Sequence, residues 1–191
     1  MKNLFKVGKL KLWQKYCEIQ QKKHPLTYLF WECSLRCNLT CQHCGSSCGP
    51  ERINKDEITI EEIKDVFRTI AEDFDPKQIT IAVTGGEPLL RNDIFEVMRY
   101  ANELGFSWGM VTNGTFVTPE IVSQMQRAKM STISVSLDGL ENNHNWLRNS
   151  KDVFKRTING IKLLVSSKSF DVREKYYQDF FLLLGAYFLF L

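Results

Sequence analysis

The sequence of residues 79–88 is Ile-Thr-Ile-Ala-Val-Thr-Gly-Gly-Glu-Pro, and this stretch indicates the fold class. Its first six residues are mostly apolar or β-branched on both faces, as expected of a strand buried in a parallel sheet. A helical pattern of apolar residues follows over 92–104, and Gly105 is expected to end that helix. A buried strand followed by a helix is the repeating unit of an α/β protein.

Three further segments resemble residues 79–84 in length and composition: 27–32 (TYLFWE), 107–112 (SWGMVT) and 132–137 (TISVSL). Helical patterns cover residues 59–74, 118–128 and 150–165. The helix at 59–74 begins with a capping box formed by Thr59 and Glu62. The helix at 118–128 has Thr118 as its N-cap residue, followed by Pro119. Four strand–helix units predict a parallel sheet with helices on its outside, and a fifth strand is expected to begin at 170–172.

The composition is that of an ordinary globular domain. The 191-residue chain has 25 Lys+Arg and 22 Asp+Glu, and its net charge of +3 is too small to favour nucleic acid or an anionic membrane as a partner. Hydrophobic residues make up 43% and charged residues 25%, which excludes disordered and fibrous proteins.

We expect three segments: a basic amphipathic helix over residues 1–24, an α/β core over 25–172 and an atypical apolar tail over 173–191. Residues 180–191 (FFLLLGAYFLFL) are all apolar or glycine but are too few to span a bilayer. The favoured interpretation gives the tail no membrane contact. The alternative is that the tail and the basic helix both contact a membrane.

Five of the six cysteines lie between Cys33 and Cys48. A cluster of this kind, with no secretory signal before it, favours a metal or iron–sulfur site in a reducing compartment, and hence a cytoplasmic protein. Three thiolates in the spacing C-x3-C-x2-C can converge on one centre and leave one coordination position open. Spacing alone permits an iron–sulfur cluster or a structural zinc, whose fourth ligand would be Cys33, His43 or Cys48.

Polar residues follow each strand, at the edge of the sheet where α/β proteins bind ligands. The two glycines at 85–86 are either a simple turn or a place where a ligand can approach the backbone. Glu87 could offer a carboxylate to a cation, and Ser136 with Asp138 could hold a diol such as a ribose, although Asp138 also suits a turn. Arg148 could bind a ligand carboxylate, or could be a solvated surface residue.

Together these motifs resemble the radical S-adenosylmethionine (radical SAM) superfamily. The C-x3-C-x2-C loop after the first strand is its signature, residues 85–88 (GGEP) look like its GGE motif, and residues 136–139 (SLDG) with Arg148 look like SAM-binding positions of peptide-modifying members. The sequence around the cysteines, residues 30–48, is most similar to members that carry a C-terminal SPASM extension.

The resemblance implies a partial TIM-like barrel of parallel βα units, a [4Fe–4S] cluster and S-adenosylmethionine. It implies that Cys37, Cys41 and Cys44 ligate three irons, that the backbone at 85–87 receives the SAM amino group, and that SAM chelates the fourth iron. The SAM-binding residues it implies are His43, Gly85, Gly86, Glu87, Asn113, Ser136, Asp138 and Arg148.

The implied activity is that of an oxidoreductase-like enzyme. It would cleave SAM reductively to a 5′-deoxyadenosyl radical that takes a hydrogen atom from a peptide or protein, with an electron from a donor such as flavodoxin or ferredoxin. The alternative is a non-catalytic zinc-binding module built on Cys33–Cys48. No catalytic residue beyond the cluster ligands is assigned. Because the family core usually has six βα units and this sequence supplies four to five, we expect a C-terminally truncated chain and an incomplete barrel.

Overall fold

The computed structural model describes residues 2–23, 25–52 and 57–167 of the chain. The strands are β1 (Tyr28–Glu32), β2 (Thr80–Thr84), β3 (Ser107–Thr112) and β4 (Thr132–Val135). The helices are α1 (Lys2–Lys23), α2 (Ile60–Asp73), α3 (Ile94–Leu104), α4 (Pro119–Arg127), α5 (Glu141–Leu147) and α6 (Val153–Ser166). Short 3₁₀ turns occupy Pro76–Gln78 and Pro88–Leu90.

The four strands form one parallel sheet in the order β1-β2-β3-β4, which confirms the predicted α/β class and the series of βα units. The register aligns Trp31 with Val83, Val83 with Met110, and Met110 with Ile133. All four strands therefore end at the same edge of the sheet. The strands agree with the predicted segments except at their ends; β4 stops two residues earlier than expected.

One face of the sheet is buried beneath helices, and the other is open. Phe67 of α2 is fully buried and contacts the rings of Trp31 and Phe106, so it joins helix and sheet in one core. On the opposite face, Tyr28 and Phe30 of β1 are exposed, Phe30 to 73%. The expectation that every strand is buried on both faces is therefore wrong for β1, whose aromatic side chains on this face are left uncovered by the described residues.

The predicted helix boundaries are largely confirmed. The Thr59–Glu62 capping box is present, the Thr118 hydroxyl caps α4, and Gly105 ends α3 with a positive φ of 107°. The sequence did not predict α5, a two-turn helix between β4 and α6.

The N-terminal helix forms as predicted, but it is not amphipathic. Exposed apolar side chains from Val7 to Ile19 point in different directions around α1 rather than forming one stripe. Its lysines are interspersed among them. The predicted fifth strand at 170–172 and the tail at 173–191 lie outside the described residues. Within the described part of the chain, no helix combines the length and the apolar character that crossing a membrane requires.

The loop that carries the cysteines is attached to the end of β2 by backbone contacts. The N–H of Gly86 donates to the carbonyl of Ser34 at 2.7 Å, and the N–H of Glu87 donates to that of Arg36 at 2.8 Å. A Cβ on Gly86 would lie 2.1 Å from the Arg36 carbonyl oxygen, and one on Gly85, whose φ is +124°, would lie 2.4 Å from that of Ser34. The two glycines are therefore needed for the loop to approach the sheet.

We expect Phe67→Ala to lower the free energy of unfolding by about 3–5 kcal/mol, because it leaves a cavity between α2 and the sheet. Phe74→Ala, at the end of the same helix, is the matched control, because the Phe74 side chain is 47% exposed. Urea unfolding followed by circular dichroism measures both. Equal losses in the two variants would contradict the core described above.

We expect Gly86→Ala to destabilise the chain by about 1–3 kcal/mol, because the new methyl group forces the cysteine loop away from β2. The displacement should also speed alkylation of the buried Cys37 thiol by iodoacetamide. Gly45→Ala, in the same loop, is the control, because its Cβ would meet no atom within 4 Å. If both variants react at the wild-type rate, the loop does not depend on the glycine contact.

Candidate metal centre

The cysteine loop begins directly after β1 and closes on itself at its base. Cys33 N–H donates to Thr84 O at 2.9 Å, Cys37 N–H donates to Gly49 O at 3.2 Å, and Gly49 N–H donates to Leu35 O at 3.3 Å. The Glu57 carboxylate accepts hydrogen bonds from Arg36 and from the Ser34 hydroxyl, which fixes the start of the loop from outside. The loop is therefore held at both ends at the edge of the sheet where all four strands end.

The three predicted cluster ligands lie together in this loop. Cys37 and Cys48 are buried with Leu39 and Val153 in a small apolar cluster, and Cys41 and Cys44 pack against it. All six cysteines of the chain are free thiols. Burial raises the pKa of the Cys37 and Cys41 thiols, although Arg148 opposes the rise at Cys41.

The donor set, three free thiols beside one apolar cluster, fits an iron–sulfur cluster. Among the residues that the structure describes, no group of three Cys, His, Asp or Glu side chains converges closely enough to hold one metal ion. A cubane cluster places its cysteine sulfurs at separate corners, and so needs them farther apart than a tetrahedral zinc does. Cys37, Cys41 and Cys44 are separate free thiols around one apolar cluster, as ligands to different corners would be.

Glu87 is placed differently from the sequence-based expectation. Its side chain is fully buried and accepts hydrogen bonds from the Thr112 hydroxyl at 2.8 Å, from Asn113 N–H at 2.8 Å and from Leu89 N–H at 3.2 Å. Burial raises the pKa of Glu87, and these donors oppose the rise. The carboxylate therefore joins the ends of β2 and β3 through these hydrogen bonds.

Asn113 connects the end of β3 to the cysteine loop. Its amide nitrogen donates to Asn38 Oδ1 at 2.9 Å and lies 3.9 Å from Cys37 Sγ. The side-chain oxygen of Asn113 accepts hydrogen bonds from the N–H and the hydroxyl of Thr115. The backbone carbonyl of Asn113 accepts one from the hydroxyl of Thr157 in α6. The contacts with Asn38 and Thr115 fix the Asn113 side chain and hold its amide nitrogen near Cys37 Sγ.

Asp138 and Arg148 were both predicted to bind a ligand, and in the structure they bind each other. Arg148 Nε donates to Asp138 Oδ2 at 2.5 Å and its Nη2 donates to Oδ1 at 3.0 Å. Arg148 Nη1 lies 3.7 Å from Cys41 Sγ, and His43 Nε2 lies 4.0 Å from Asp138 Oδ1. Ser136, just before this pair, donates its N–H to Thr112 O. The pair occupies the mouth of the cysteine loop, not the solvated surface.

Sequence reasoning missed His144, which is almost completely buried against Phe154. Its Nδ1 accepts the N–H of Asp138 at 3.1 Å, and its Nε2 has no hydrogen-bond partner among the described residues. Burial lowers the pKa of His144. The signal that could have found it is its spacing, because His144 precedes Arg148 by four residues and so shares a helix face with it.

Comparison with known proteins supports the interpretation of these motifs. The family model described as the radical SAM superfamily matches residues 31–172. The AdoMet-dependent heme synthase of Methanosarcina barkeri is 36% identical over 135 residues, covering 70% of this chain and 38% of that protein. The mycofactocin maturase MftC of Mycolicibacterium smegmatis is 27% identical over 146 residues, covering 76% of this chain and 36% of that protein.

Two solved structures show the same fold at low sequence identity. Native anSMEcpe with bound AdoMet superposes with a TM-score of 0.65 at 22% identity, covering 76% of this chain and 42% of that one. Streptococcus suis SuiB bound to S-adenosylmethionine superposes with a TM-score of 0.60 at 19% identity, covering 83% and 36%. The chain thus spans less than half the length of each of these proteins.

The family match covers well over half of the chain, and it includes the cysteine loop, the GGEP turn and the Asp138–Arg148 pair. It confirms the resemblance predicted from the sequence, and with it the predicted cofactors. The chain belongs to the radical SAM superfamily, whose enzymes use a [4Fe–4S] cluster and S-adenosylmethionine.

Proposed function

We propose that this chain holds a [4Fe–4S] cluster on Cys37, Cys41 and Cys44 and binds S-adenosylmethionine beside it. The observation that carries the proposal is the position of these three free thiols, which share one apolar pocket at the carboxyl edge of the parallel sheet. When bound, the cluster and SAM supply one-electron reductive cleavage of the sulfonium and, through it, abstraction of a hydrogen atom from substrate.

The residues of the chain would bind and orient SAM and would shield the cluster from water. Leu39 and Val153 pack against the cysteines and keep water from one side of the pocket. The backbone contact of Gly86 with Ser34 sets the distance between the loop and β2. The carbonyl groups of Gly85 and Gly86 are assigned to the SAM amino group. Only the backbone of Glu87 shares in this role, because its carboxylate is turned toward β3.

The remaining SAM-binding residues are proposed from their position around the cysteine loop. Ser136 lies at the end of β4, where it can meet the ribose, and His43 projects from the loop itself, where it can stack near the adenine. Asn113 closes the pocket on the β3 side. Asp138 and Arg148 act as one ion pair at the mouth of the pocket, because each already satisfies the charge of the other.

A peptide or protein is the proposed substrate, and a low-potential flavodoxin or ferredoxin is the proposed electron donor. Support for a peptide comes from the maturase relative and from the solved structure of SuiB bound to its precursor peptide SuiA. The open face of the sheet beside β1 carries Tyr28 and Phe30, which offer exposed aromatic surface for such a partner.

A heme-related tetrapyrrole is the second candidate substrate. It is favoured by the 36% identity to an AdoMet-dependent heme synthase and by the 30% identity to an Fe-coproporphyrin III synthase of the same organism. Titration with iron coproporphyrin III separates the two candidates. The peptide proposal expects no shift of the Soret band, and a saturable shift at one equivalent would favour the tetrapyrrole.

We expect anaerobic reconstitution to give a brown protein with about four iron and about four sulfide atoms per chain. Cys37→Ala should lose both, because a cubane retained by two protein thiolates is labile. Cys48→Ala is the matched control: Cys48 is buried in the same apolar cluster but is not among the three proposed ligands, and its N–H contact with Cys44 belongs to the backbone. Iron and sulfide assays with the visible spectrum measure all three proteins.

The loaded wild type, reduced with dithionite, should release 5′-deoxyadenosine from SAM, and the Cys37→Ala variant should not. A colourless protein that carries one zinc per chain would overturn the proposal and establish the zinc-binding alternative. Loss of iron from Cys48→Ala as well would show that the ligand set is assigned wrongly.

A further inference from the structure

Each of the three proposed cluster ligands has at least one N–H group directed at its sulfur. Cys44 Sγ accepts the backbone N–H of Cys48 at 3.3 Å. Cys37 Sγ lies 3.9 Å from the amide nitrogen of Asn113, and Cys41 Sγ lies 3.7 Å from Nη1 of Arg148. These donors come from the cysteine loop, from the end of β3 and from the end of α5, so three parts of the fold converge on one set of sulfurs.

The three donors differ in charge, and only Arg148 carries a full positive charge. The Arg148 side chain is 13% exposed, so solvent and salt screen its charge weakly. A cation beside a thiolate stabilises negative charge there more than a neutral amide does. The Asp138 carboxylate opposes this effect at Cys41, but Arg148 acts there more strongly. Among these three donors, Arg148 therefore has the largest effect on the charge balance at the sulfurs.

The direction of the guanidinium is fixed by its neighbours. Asp138 accepts from Nε and Nη2, which leaves Nη1 to face Cys41. Asp138 is itself held because its N–H donates to Nδ1 of the buried His144. The backbone N–H of Arg148 donates to the carbonyl of His144. Arg148 and His144, two residues that contact Asp138, therefore lie on the same helical turn. Arg148 cannot rotate away without leaving a carboxylate unpaired.

We propose that Arg148 raises the reduction potential of the cluster by donating to Cys41 Sγ, with Asp138 and His144 as positioning residues; this inference rests on the function proposed above. Hydrogen bonds to cysteine sulfur and nearby positive charge favour the more negative, reduced state of an iron–sulfur cluster. The step concerned takes one electron from a low-potential reductant, dithionite in the test, and converts the 2+ cluster to the 1+ state. No bond at Arg148 is made or broken.

This role differs from the one predicted from sequence, in which Arg148 binds the SAM carboxylate. A SAM contact can change the affinity for SAM but cannot change the potential of a cluster measured with SAM absent. Redox titration of the SAM-free protein therefore separates the two roles.

The experiment is a dithionite titration of the reconstituted, SAM-free chain, followed by electron paramagnetic resonance of the reduced cluster. At a fixed solution potential, Arg148→Gln should lower the ratio of reduced to oxidised cluster about tenfold, which is a shift of about 59 mV for one electron. Arg148→Lys keeps a cation but loses the fork to Asp138, so its ratio should fall by less. Arg127→Gln removes the same charge from the exposed end of α4 and should leave the ratio unchanged.

A lower ratio in either loaded Arg148 variant, with the Arg127 control unchanged, supports the proposal. Wild-type ratios in both variants overturn it, even if their affinity for SAM falls. Loss of the cluster from both variants while circular dichroism stays native also overturns it, because the role is then retention of the cluster. A wild-type chain that binds no cluster would instead overturn the proposed function, so the two failures are distinguishable.

Discussion

The backbone contact between the end of β2 and the start of the cysteine loop is the interaction on which the rest of the site depends. Two N–H groups, of Gly86 and Glu87, donate to the carbonyls of Ser34 and Arg36. This approach is possible only because residues 85 and 86 have no Cβ, since a methyl group at either would overlap a carbonyl oxygen. The loop thus joins the sheet as a short extra pairing, and the positions of its cysteines follow from that attachment.

The buried carboxylate of Glu87 connects the end of β2 to the end of β3, the next strand in the sheet. It accepts from Thr112 and from the N–H of Asn113, and Asn113 in turn reaches Asn38 and Cys37. A buried acceptor that loses a donor is costly, so each of these contacts favours the others. The ends of β2 and β3 and the cysteine loop therefore form one polar unit beneath the pocket.

The sequence predicted the fold well because the strand and helix patterns are local. Residues 107–112 were predicted as a strand from their apolar character, and Thr59 was predicted to begin a helix from its capping box; both signals depend on neighbours within a few positions. The three cysteines were chosen because their spacing limits what they can bind, and their assignment as cluster ligands stays a prediction. The prediction of an amphipathic α1 was wrong because it took apolar residues among lysines as sufficient and did not ask whether they share one helical face.

What the sequence could not give is how polar residues pair once the strand ends come together. Glu87, Asp138 and Arg148 were each considered as an isolated group that would need a ligand. In the fold, Glu87 is satisfied by backbone and hydroxyl donors from β3, and Asp138 and Arg148 satisfy each other. Such pairings join residues far apart along the chain, so only the arrangement of the strands defines them. His144 was missed although its spacing of four residues from Arg148 was a usable signal, because its partner, the N–H of Asp138, lies outside its own helix.

The paired charges at the mouth of the pocket also limit how a charged ligand can bind there. A carboxylate that approached Arg148 would have to share the guanidinium with Asp138, because the fork of Arg148 is already occupied by two bonds. Binding such a carboxylate would therefore disturb the ion pair between Asp138 and Arg148. Nη1 is the nitrogen not engaged by Asp138, and it faces Cys41. The geometry therefore directs the positive charge of Arg148 toward the cysteine loop rather than toward a charged ligand at the mouth of the pocket.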